Sequence, residues 1–217
     1  MTRRPWLRRL AVTTVSAAAL VALAAPAEAA ASAPASTGSA AVTAGAVTSY
    51  AAADVDYDTW QRDCQAVMDQ ALPYLKQRIA AAGAGERQAV VLDIDNTSLE
   101  TDFGFSFPQP ANQPVLETAQ YAQEHGVALF FVTARPGILS VPTEYNLDHV
   151  GYEVSGLYVR GLLDLFEDVA AYKTAQRVAI ESQGYTIIAN IGNSASDLSG
   201  GHAEKTFKLP DYDGQLS

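Results

Sequence analysis

Two acids separated by one residue follow an apolar run near the middle of the chain. The sequence Val-Val-Leu at 90–92 leads into Asp93-Ile94-Asp95-Asn96-Thr97. Two carboxylates this close repel each other unless a cation lies between them or one of them holds a proton. A hard divalent ion such as Mg²⁺ takes oxygen ligands and would relieve that repulsion. With the metal bound, one carboxylate can attack phosphorus as a nucleophile while the other moves a proton.

The same run has two other interpretations. A calcium loop would need glycine at its sixth position and glutamate at its twelfth, where this chain has Ser98 and Gly104, so that interpretation fails. A helix cap stays open as an alternative, because Asp, Asn and Thr are all good capping residues. The residue types and their spacing favour a functional site over a cap.

Two further residues could bind a phosphoryl group, whose oxygens need positive charge and hydrogen-bond donors. They are Lys173, near the start of a helical pattern, and Thr133, at the end of a strand-like run. Taken singly, Lys173 is a solvated helix residue and Thr133 a strand-end hydroxyl. Arg135 either assists phosphate binding or pairs with a surface acid. Arg177, one helical turn after Lys173, is interpreted as a solvated residue or a salt-bridge partner.

The order of apolar patterns predicts how these residues are positioned. Short runs rich in valine and isoleucine indicate strands buried on both faces, and helical patterns alternate with them. This alternation predicts an α/β fold: a three-layer, Rossmann-like parallel sheet with helices on both faces, preceded by an N-terminal helical segment. Little or no cap is expected, because no segment between the polar motifs is long enough for a separate cap domain. Pro73 predicts a kink in that first segment, or two helices. Ligands of such sheets bind at the carboxyl ends of strands, where the polar clusters fall: Asp93 and Asp95, Thr133 and Arg135, Asn193 and Asp197.

The N-terminal region has the composition of an export signal. Four arginines precede an apolar run from about Leu10 to Ala25, and Ala27-Glu28-Ala29 resembles a cleavage site. Residues 1–29 are therefore predicted to be a signal peptide and the protein to be secreted, with no stable membrane anchor after cleavage. Arg3-Arg4 is also typical of a twin-arginine signal, so both export routes stay open. Residues 30–53, poor in charge and in large side chains, are predicted to be a flexible linker, and residues 54–217 the folded domain.

Composition excludes several classes of partner. The chain has 14 Lys and Arg against 24 Asp and Glu, a net charge of −10, and loss of the leader would make it more acidic. Such a surface argues against a nucleic-acid polymer or an anionic membrane as the main partner. Cys64 is the only cysteine, so the fold must hold without an intrachain disulfide. Its helical pattern indicates a structural residue.

Four motifs in order resemble those of the haloacid-dehalogenase (HAD) superfamily. The first is Asp93 to Thr97, the second Phe131 to Arg135, the third Lys173 in "YKTAQR", and the fourth the stretch from Asn190 to Gly201. Within that superfamily the chain is similar to the secreted acid phosphatases of the class-B and plant-storage-protein type, subfamily IIIB. The resemblance spans about residue 54 to the C-terminus.

The resemblance implies a role for each matched residue. Asp93 would be the nucleophile that forms an aspartyl-phosphate, and Asp95 the general acid and then the general base. Thr133 and Lys173 would hold the phosphoryl oxygens. Mg²⁺ would be bound by the Asp93 carboxylate, the Asp95 main-chain carbonyl and the fourth motif. The expected activity is hydrolysis of small phosphomonoesters.

The fourth motif departs from the family pattern at one position. The family usually has Gly-Asp followed after three residues by a second Asp, whereas this chain has Gly192-Asn193 and then Asp197. Asn193 can still offer an amide oxygen to the metal, but one negative charge is lost. Weaker Mg²⁺ binding follows, or direct binding of the metal by Asp197. The rival hypothesis is therefore a weak or inactive phosphate-binding or storage-type protein that retains the fold.

Overall fold

The computed structural model describes residues 55–216. The predicted signal peptide, residues 1–29, and the predicted linker, residues 30–53, lie outside the described residues and stay predictions. Across residues 55–216, no helix combines the length with the hydrophobicity that a bilayer crossing requires.

A parallel sheet of five strands forms the centre of the fold. The strands pair in the order β3-β2-β1-β4-β5. The apolar runs explain the middle of this sheet, because strands covered on both faces need apolar side chains in both directions. β1 therefore lies between the two strands whose ends carry the other polar clusters. The strands are β1 Arg87–Leu92, β2 Ala128–Pro136, β3 Gly156–Arg160, β4 Tyr185–Gly192 and β5 Thr206–Lys208.

Helices cover both faces of the sheet, which confirms the predicted three-layer α/β architecture. Val90 and Leu92 of β1 pack in one apolar cluster with residues of α1, α2 and α3. Ala89 and Val91 point the opposite way and pack in a second cluster with residues of α4. No cap domain interrupts the described part of the chain. The helices are α1 Tyr57–Ala80, α2 Gln113–Glu124, α3 Ser140–Val150, α4 Val169–Ser182 and the short α5 Ala195–Leu198.

Helix α1 is one helix, so of the two alternatives at Pro73, a kink or a break into two helices, the second is wrong. Proline inside a helix costs about 3 kcal/mol, but the ring of Pro73 lies on the solvent side. The opposite side buries Trp60, Met68 and Leu75 almost completely. Each such burial contributes about 1.5–3 kcal/mol, so packing outweighs the local penalty. Cys64 is buried on the same side, as its helical pattern predicts.

Candidate functional site

Asp93 occupies the first position after β1, where the strand gives way to a tight loop. Its main-chain N–H donates to the carbonyl of Ile191 at 3.0 Å, which ties it to β4. The side chain of Ser98 donates to the carbonyl of Asp93 at 2.6 Å. The loop contains no helix start, so Asp93 and Asp95 do not act as helix caps. Asn96 adopts a left-handed conformation there, with φ of 50°, which asparagine tolerates better than most residues.

Lys173 lies between two carboxylates at the bottom of the site. Its Nζ is 2.6 Å from Asp93 Oδ1 and 2.5 Å from Asp197 Oδ1. The three side chains, here called the buried triad, are 5%, 7% and 2% exposed in the order Lys173, Asp93, Asp197. Asp168 caps α4 by accepting from the N–H of Ala171 and so fixes the start of the helix that carries Lys173. The structure therefore brings together residues 104 positions apart at its extremes, from Asp93 to Asp197.

Asp197 is held by a capping box at the start of α5. Its Oδ2 accepts from the main-chain N–H of Ser194 at 2.7 Å, while its Oδ1 faces Lys173. Gly192 makes this approach feasible, because a Cβ at that position would lie 2.4 Å from the Cβ of Asp197. Both carboxylate oxygens of Asp197 are thus engaged by protein groups.

Asp95 is not part of the buried triad and pairs instead with Arg135. The guanidinium Nη2 is 2.7 Å from Asp95 Oδ1, and Nε is 3.1 Å from both carboxylate oxygens. Arg135 also donates to Gln109 and Thr143 at 3.0 and 3.1 Å. The Asp95 side chain remains 43% exposed. Of the two interpretations of Arg135, pairing with an acid is what the structure shows, and the acid is the predicted proton-transfer residue.

Thr133 and Arg177 are both buried beside the site. The Thr133 hydroxyl oxygen accepts from the main-chain N–H of Arg135 at 3.1 Å, which leaves the hydroxyl proton for another acceptor. Arg177 is only 1% exposed, so its interpretation as a solvated residue is wrong. Its guanidinium donates to three main-chain carbonyls of the fourth motif, those of Asp197, Ser199 and Gly201. Arg177 thereby fixes the loop that carries Asp197.

Asn193 is buried and its amide is engaged at both ends. The amide nitrogen donates to the main-chain carbonyl of Leu216, and the amide oxygen accepts from the Thr97 hydroxyl at 3.3 Å. The Leu216 carbonyl accepts a second bond, from Asn96 Nδ2 at 3.2 Å. No feature of the sequence pointed to a contact between residue 216 and the first and fourth motifs.

Burial governs the protonation of the triad. Removal from water raises the pKa of Asp93 to about 7; the charge of Lys173 opposes this increase, and the charge of Asp197 adds to it. For Lys173, burial acts to lower the pKa, but the two carboxylates outweigh it and the pKa is raised. The site therefore holds a charged ammonium beside a carboxyl group that titrates near neutrality.

Two adjoining cavities meet at Asp95 and Thr101, which line both. The first, about 340 Å³, is lined by Asp93, Lys173, Asn193 and Asp197 among others. The second, about 470 Å³, is lined mainly by apolar groups, including Phe105, Phe107 and Leu139. Phe103 instead stacks on Trp60 with ring centroids 4.4 Å apart and anchors the loop to α1. The three phenylalanines thus divide between anchoring and lining.

The residues predicted to hold Mg²⁺ offer a limited set of oxygens. Asp93, Asp95 and Asn193 line the first cavity together. The carboxylate of Asp93, the main-chain carbonyl of Asp95 and the amide oxygen of Asn193 suit a hard cation. Asp197 lines the same cavity, but its oxygens are engaged by Lys173 and Ser194. Within residues 55–216, no group of three or more His, Cys, Asp or Glu side chains is arranged to hold a metal by itself. A metal bound here would therefore also need main-chain and amide oxygens. These oxygens suit Mg²⁺, although together they carry little negative charge. The assignment of these residues to a Mg²⁺ site stays a prediction.

Solved structures with the same fold include class C acid phosphatase from Bacillus anthracis. One structure is 18% identical in sequence, with a TM-score of 0.54 over 71% of this chain and 82% of that chain. Another, with tungstate bound, is 16% identical, with a TM-score of 0.58 over 72% and 80% of the two chains. At this level of identity the likeness establishes the fold.

Two curated relatives come from Glycine max. The Stem 28 kDa glycoprotein and the Stem 31 kDa glycoprotein are each 34% identical to this chain over 105 residues. The match covers 46% of this chain in both cases, and 41% and 36% of the relatives. The chain therefore spans less than half the length of the curated relatives it matches.

Family membership follows from a match that covers most of the chain. The family described as HAD superfamily, subfamily IIIB (Acid phosphatase) matches residues 12–109 and 106–215. This match includes all four motifs and confirms the resemblance on which the sequence-based roles were assigned. The chain belongs to subfamily IIIB of the HAD superfamily, the acid phosphatase family.

Proposed function

We propose that this chain is a Mg²⁺-dependent acid phosphatase that hydrolyses small phosphomonoesters through an aspartyl-phosphate on Asp93. The observation that carries the proposal is the buried triad at the strand ends, in a chain of this family. Burying an ammonium between two carboxylates is costly, and apolar residues of similar volume would pack there at no such cost. Binding and transfer of a phosphoryl group would explain why the chain keeps this costly arrangement.

The first half of the reaction transfers the phosphoryl group to the protein. An oxygen of the Asp93 carboxylate attacks phosphorus, and the bond from phosphorus to the alcohol oxygen breaks. Asp95 gives its proton to the departing oxygen, so the product leaves as a neutral alcohol. Lys173, within 2.6 Å of Asp93, supplies positive charge where the phosphoryl oxygens gather.

The second half returns the protein to its starting state. Asp95, now ionised, takes a proton from a water molecule whose oxygen attacks phosphorus. The bond between Asp93 and phosphorus breaks, which releases inorganic phosphate and leaves Asp95 protonated for the next cycle. Its 43% exposed side chain, far wetter than that of Asp93, is suited to exchange protons with water.

The position of Asp95 between the two cavities also indicates where the alcohol lies. A phosphoryl group in the first cavity, beside Asp93, would leave the alcohol directed toward the second. Arg135 supports this division, since its guanidinium lines the second cavity while contacting Asp95. An anionic substrate would bring a second negative group within reach of Arg135.

Mg²⁺, when bound, would neutralise charge on the nucleophile and on the phosphoryl oxygens. The residues that would hold it are Asp93, Asp95 through its main-chain carbonyl, and Asn193. Asp197 would contribute either as a direct ligand or indirectly, through its ion pair with Lys173. Thr133, whose hydroxyl proton is not used in the bond from Arg135, would donate to a phosphoryl oxygen.

Hydrolysis of p-nitrophenyl phosphate tests the proposal. The wild type is measured with Mg²⁺ and with EDTA, beside Asp93→Asn and the control Asp69→Asn, which changes an exposed acid on α1. We expect the wild type to be active only with Mg²⁺. Asp93→Asn is expected to lose at least about 10³-fold in activity, whereas Asp69→Asn is expected to keep the wild-type activity. A wild type no faster than Asp93→Asn at any Mg²⁺ concentration would show that the chain is not a phosphatase of this kind.

The alternative is a weak or inactive protein that binds phosphate without turning it over. Asn193 favours it, because this residue replaces a usual acid and its amide is already bound at both ends. Calorimetric titration with inorganic phosphate distinguishes the two: binding without hydrolysis of any phosphomonoester supports the alternative.

We also propose that the protein is exported by the signal at residues 1–29 and carries no stable membrane anchor afterwards. The basic start and the apolar run of this segment support the proposal. Fractionation of cells that express the full chain tests it, with the product expected outside the cytoplasm and shortened at its N-terminus. Replacing Arg3 and Arg4 by lysine would stop export only if the twin-arginine route is used.

A further inference from the structure

The segment that follows β5, residues 209–216, contacts both asparagines of the site. It begins with Leu209, whose N–H donates to the carbonyl of Gly192 at 2.9 Å. It ends at Leu216, whose carbonyl accepts from the side-chain amides of Asn96 and Asn193. Leu209 and Leu216 are both fully buried in the larger apolar cluster. The segment thus reaches the first and the fourth motif at once.

The backbone of this segment is held in an uncommon conformation. Tyr212, Asp213 and Gly214 have φ values of 49°, 58° and 83°, all in the left-handed region. Residues other than glycine persist there only when surrounding contacts determine the conformation, and such positions cluster at functional sites. Here the Tyr212 hydroxyl donates to Asp63 on α1 at 2.7 Å, and the N–H of Leu216 donates to the carbonyl of Asp211 at 3.1 Å. The carbonyl of Leu216 is therefore placed by the fold.

That carbonyl determines which end of the Asn193 amide faces which neighbour. A carbonyl oxygen can only accept, so the group of Asn193 that meets Leu216 must be the NH₂. The amide oxygen is then directed to the Thr97 hydroxyl, which donates one bond to it at 3.3 Å. An amide oxygen has two lone pairs, so one stays available to a cation after the bond from Thr97. With the amide reversed, a nitrogen would stand there, and Mg²⁺ does not take such a ligand.

We propose that the main-chain carbonyl of Leu216 is a positioning group for the metal site, which holds Asn193 with its oxygen available to Mg²⁺. The inference rests on the proposed function, because it takes Mg²⁺ to bind beside Asp93 and Asn193. It also accounts for asparagine at this position. An aspartate would have no N–H for Leu216 and would place a negative charge against a carbonyl oxygen, although it would be the stronger ligand.

A double-mutant cycle on Leu216→Ala and Asn193→Asp tests the inference. Mg²⁺ affinity is measured by calorimetry without substrate, so the result does not depend on turnover. Leu216→Ala keeps the main-chain carbonyl but removes the buried side chain that holds it in place. We therefore expect Leu216→Ala to weaken Mg²⁺ binding on the order of 10-fold, as disturbing a group that orients a ligand does. Asn193→Asp alone is expected to tighten binding, because it adds a full charge. In the Asn193→Asp background, Leu216→Ala is expected to leave Mg²⁺ affinity unchanged, because the two oxygens of a carboxylate are equivalent and either can bind the metal.

The control is Leu75→Ala, which truncates another fully buried leucine of the same apolar cluster, on α1. It should lower stability while leaving Mg²⁺ affinity unchanged. If Leu216→Ala does not fold, the milder Leu216→Val gives the same comparison. Equal losses of affinity in both backgrounds, or an equal loss in Leu75→Ala, would overturn the inference. An unchanged titration in Asn193→Asp would also overturn it, because Asn193 would then lie outside the coordination shell.

Failure of the proposed function gives a different result. If the wild type hydrolyses p-nitrophenyl phosphate with Mg²⁺ but the cycle shows no coupling, only the inference about Leu216 is overturned. If the wild type neither binds Mg²⁺ nor hydrolyses the ester, the metal-dependent function and the inference fall together.

Discussion

Two clusters of equal charge composition lie at opposite ends of the sheet. The buried triad, at the carboxyl ends of the strands, has one cation and two carboxylates. A second cluster, here called the surface triad, lies at the amino ends and consists of Arg78, Glu86 and Glu204. Arg78 Nε is 2.7 Å from Glu204 Oε2, and Arg78 Nη2 also contacts Glu86. Both clusters carry one negative charge when all members are ionised.

The two triads differ in solvation, and the pKa of one carboxyl group in each, Asp93 and Glu86, is shifted in opposite directions. Burial raises the pKa of Asp93 to about 7 even though Lys173 lies against it. Hydrogen bonds from Arg78, with one from the N–H of Gly83, lower the pKa of Glu86 to about 2. The side chains of the surface triad are 20%, 17% and 38% exposed in the order Arg78, Glu86, Glu204. In the surface triad, which stays in contact with water, the cation stabilises the ionised acid and lowers its pKa. In the buried triad, the cation only partly offsets the loss of hydration, and the pKa of the acid rises.

Removing the cation of the buried triad should have the largest effect. Lys173→Met leaves two buried carboxylates without a partner, and we expect a loss of about 3–5 kcal/mol in the free energy of unfolding. Urea denaturation at neutral pH with EDTA measures it. The matched control is Lys208→Met, which removes an exposed partner of Asp211. A loss no larger than that of the control would show that burial does not distinguish these ion pairs.

The opposite pKa shifts predict opposite slopes of stability with pH. Asp93 binds its proton more tightly in the folded chain, so its contribution falls as pH rises from 3.8, its ordinary pKa, to about 7. Glu86 behaves the other way: its stabilisation is complete above 4.5 and is lost as pH falls toward about 2. The metal-free chain should therefore be most stable at about pH 4, where the two transitions overlap.

Melting temperatures across this pH range, with EDTA present, check that prediction. Asp93→Asn should remove the decline in stability toward neutral pH, and Glu86→Gln should reduce the loss of stability at acid pH. A wild-type curve that rises steadily from acid to neutral pH would contradict the assignment of the raised pKa to Asp93.

Much of the fold could be predicted from the sequence because its strands are buried on both faces. Such strands appear as short valine- and isoleucine-rich runs, and the polar residues at their ends mark the edge where ligands bind. Helix α3 was not predicted, because its apolar periodicity is weak. Its signals are a proline in the first turn, Pro142, and a glycine after its end, Gly151, with φ of 106°.

The candidate site was only partly accessible to sequence reasoning. Side chains with distinctive chemistry, such as Asp93 and Lys173, could be named because their residue types restrict what they do. The burial of Arg177 could not be predicted, because three of its four hydrogen-bond partners are main-chain carbonyls, which every residue has. The role of Leu216 is hidden for the same reason: its carbonyl, not its side chain, contacts the asparagines.

Removing the cation of the surface triad should have a much smaller effect than removing Lys173. Arg78→Met leaves Glu86 and Glu204 close together but in contact with water, and exposed ion pairs contribute about 0.2–1 kcal/mol each. We expect a loss of about 1 kcal/mol in the same urea experiment. A loss as large as that of Lys173→Met would mean that Arg78 contributes packing of its alkyl chain in addition to charge.

High salt should affect the two triads differently, and this difference in unfolding free energy is the smallest of the predicted effects. At about 1 M NaCl the screening length falls to about 3 Å, so interactions among exposed charges are largely removed. Ions reach Arg78, whose side chain is 20% exposed, far more easily than Lys173, whose side chain is 5% exposed. We therefore expect the difference in unfolding free energy between the wild type and Arg78→Met to shrink by a few tenths of a kcal/mol in high salt. The difference for Lys173→Met should stay unchanged within error. Equal salt sensitivity in both variants would show that solvent ions reach the buried triad, and that the low exposure of its carboxylates does not isolate them.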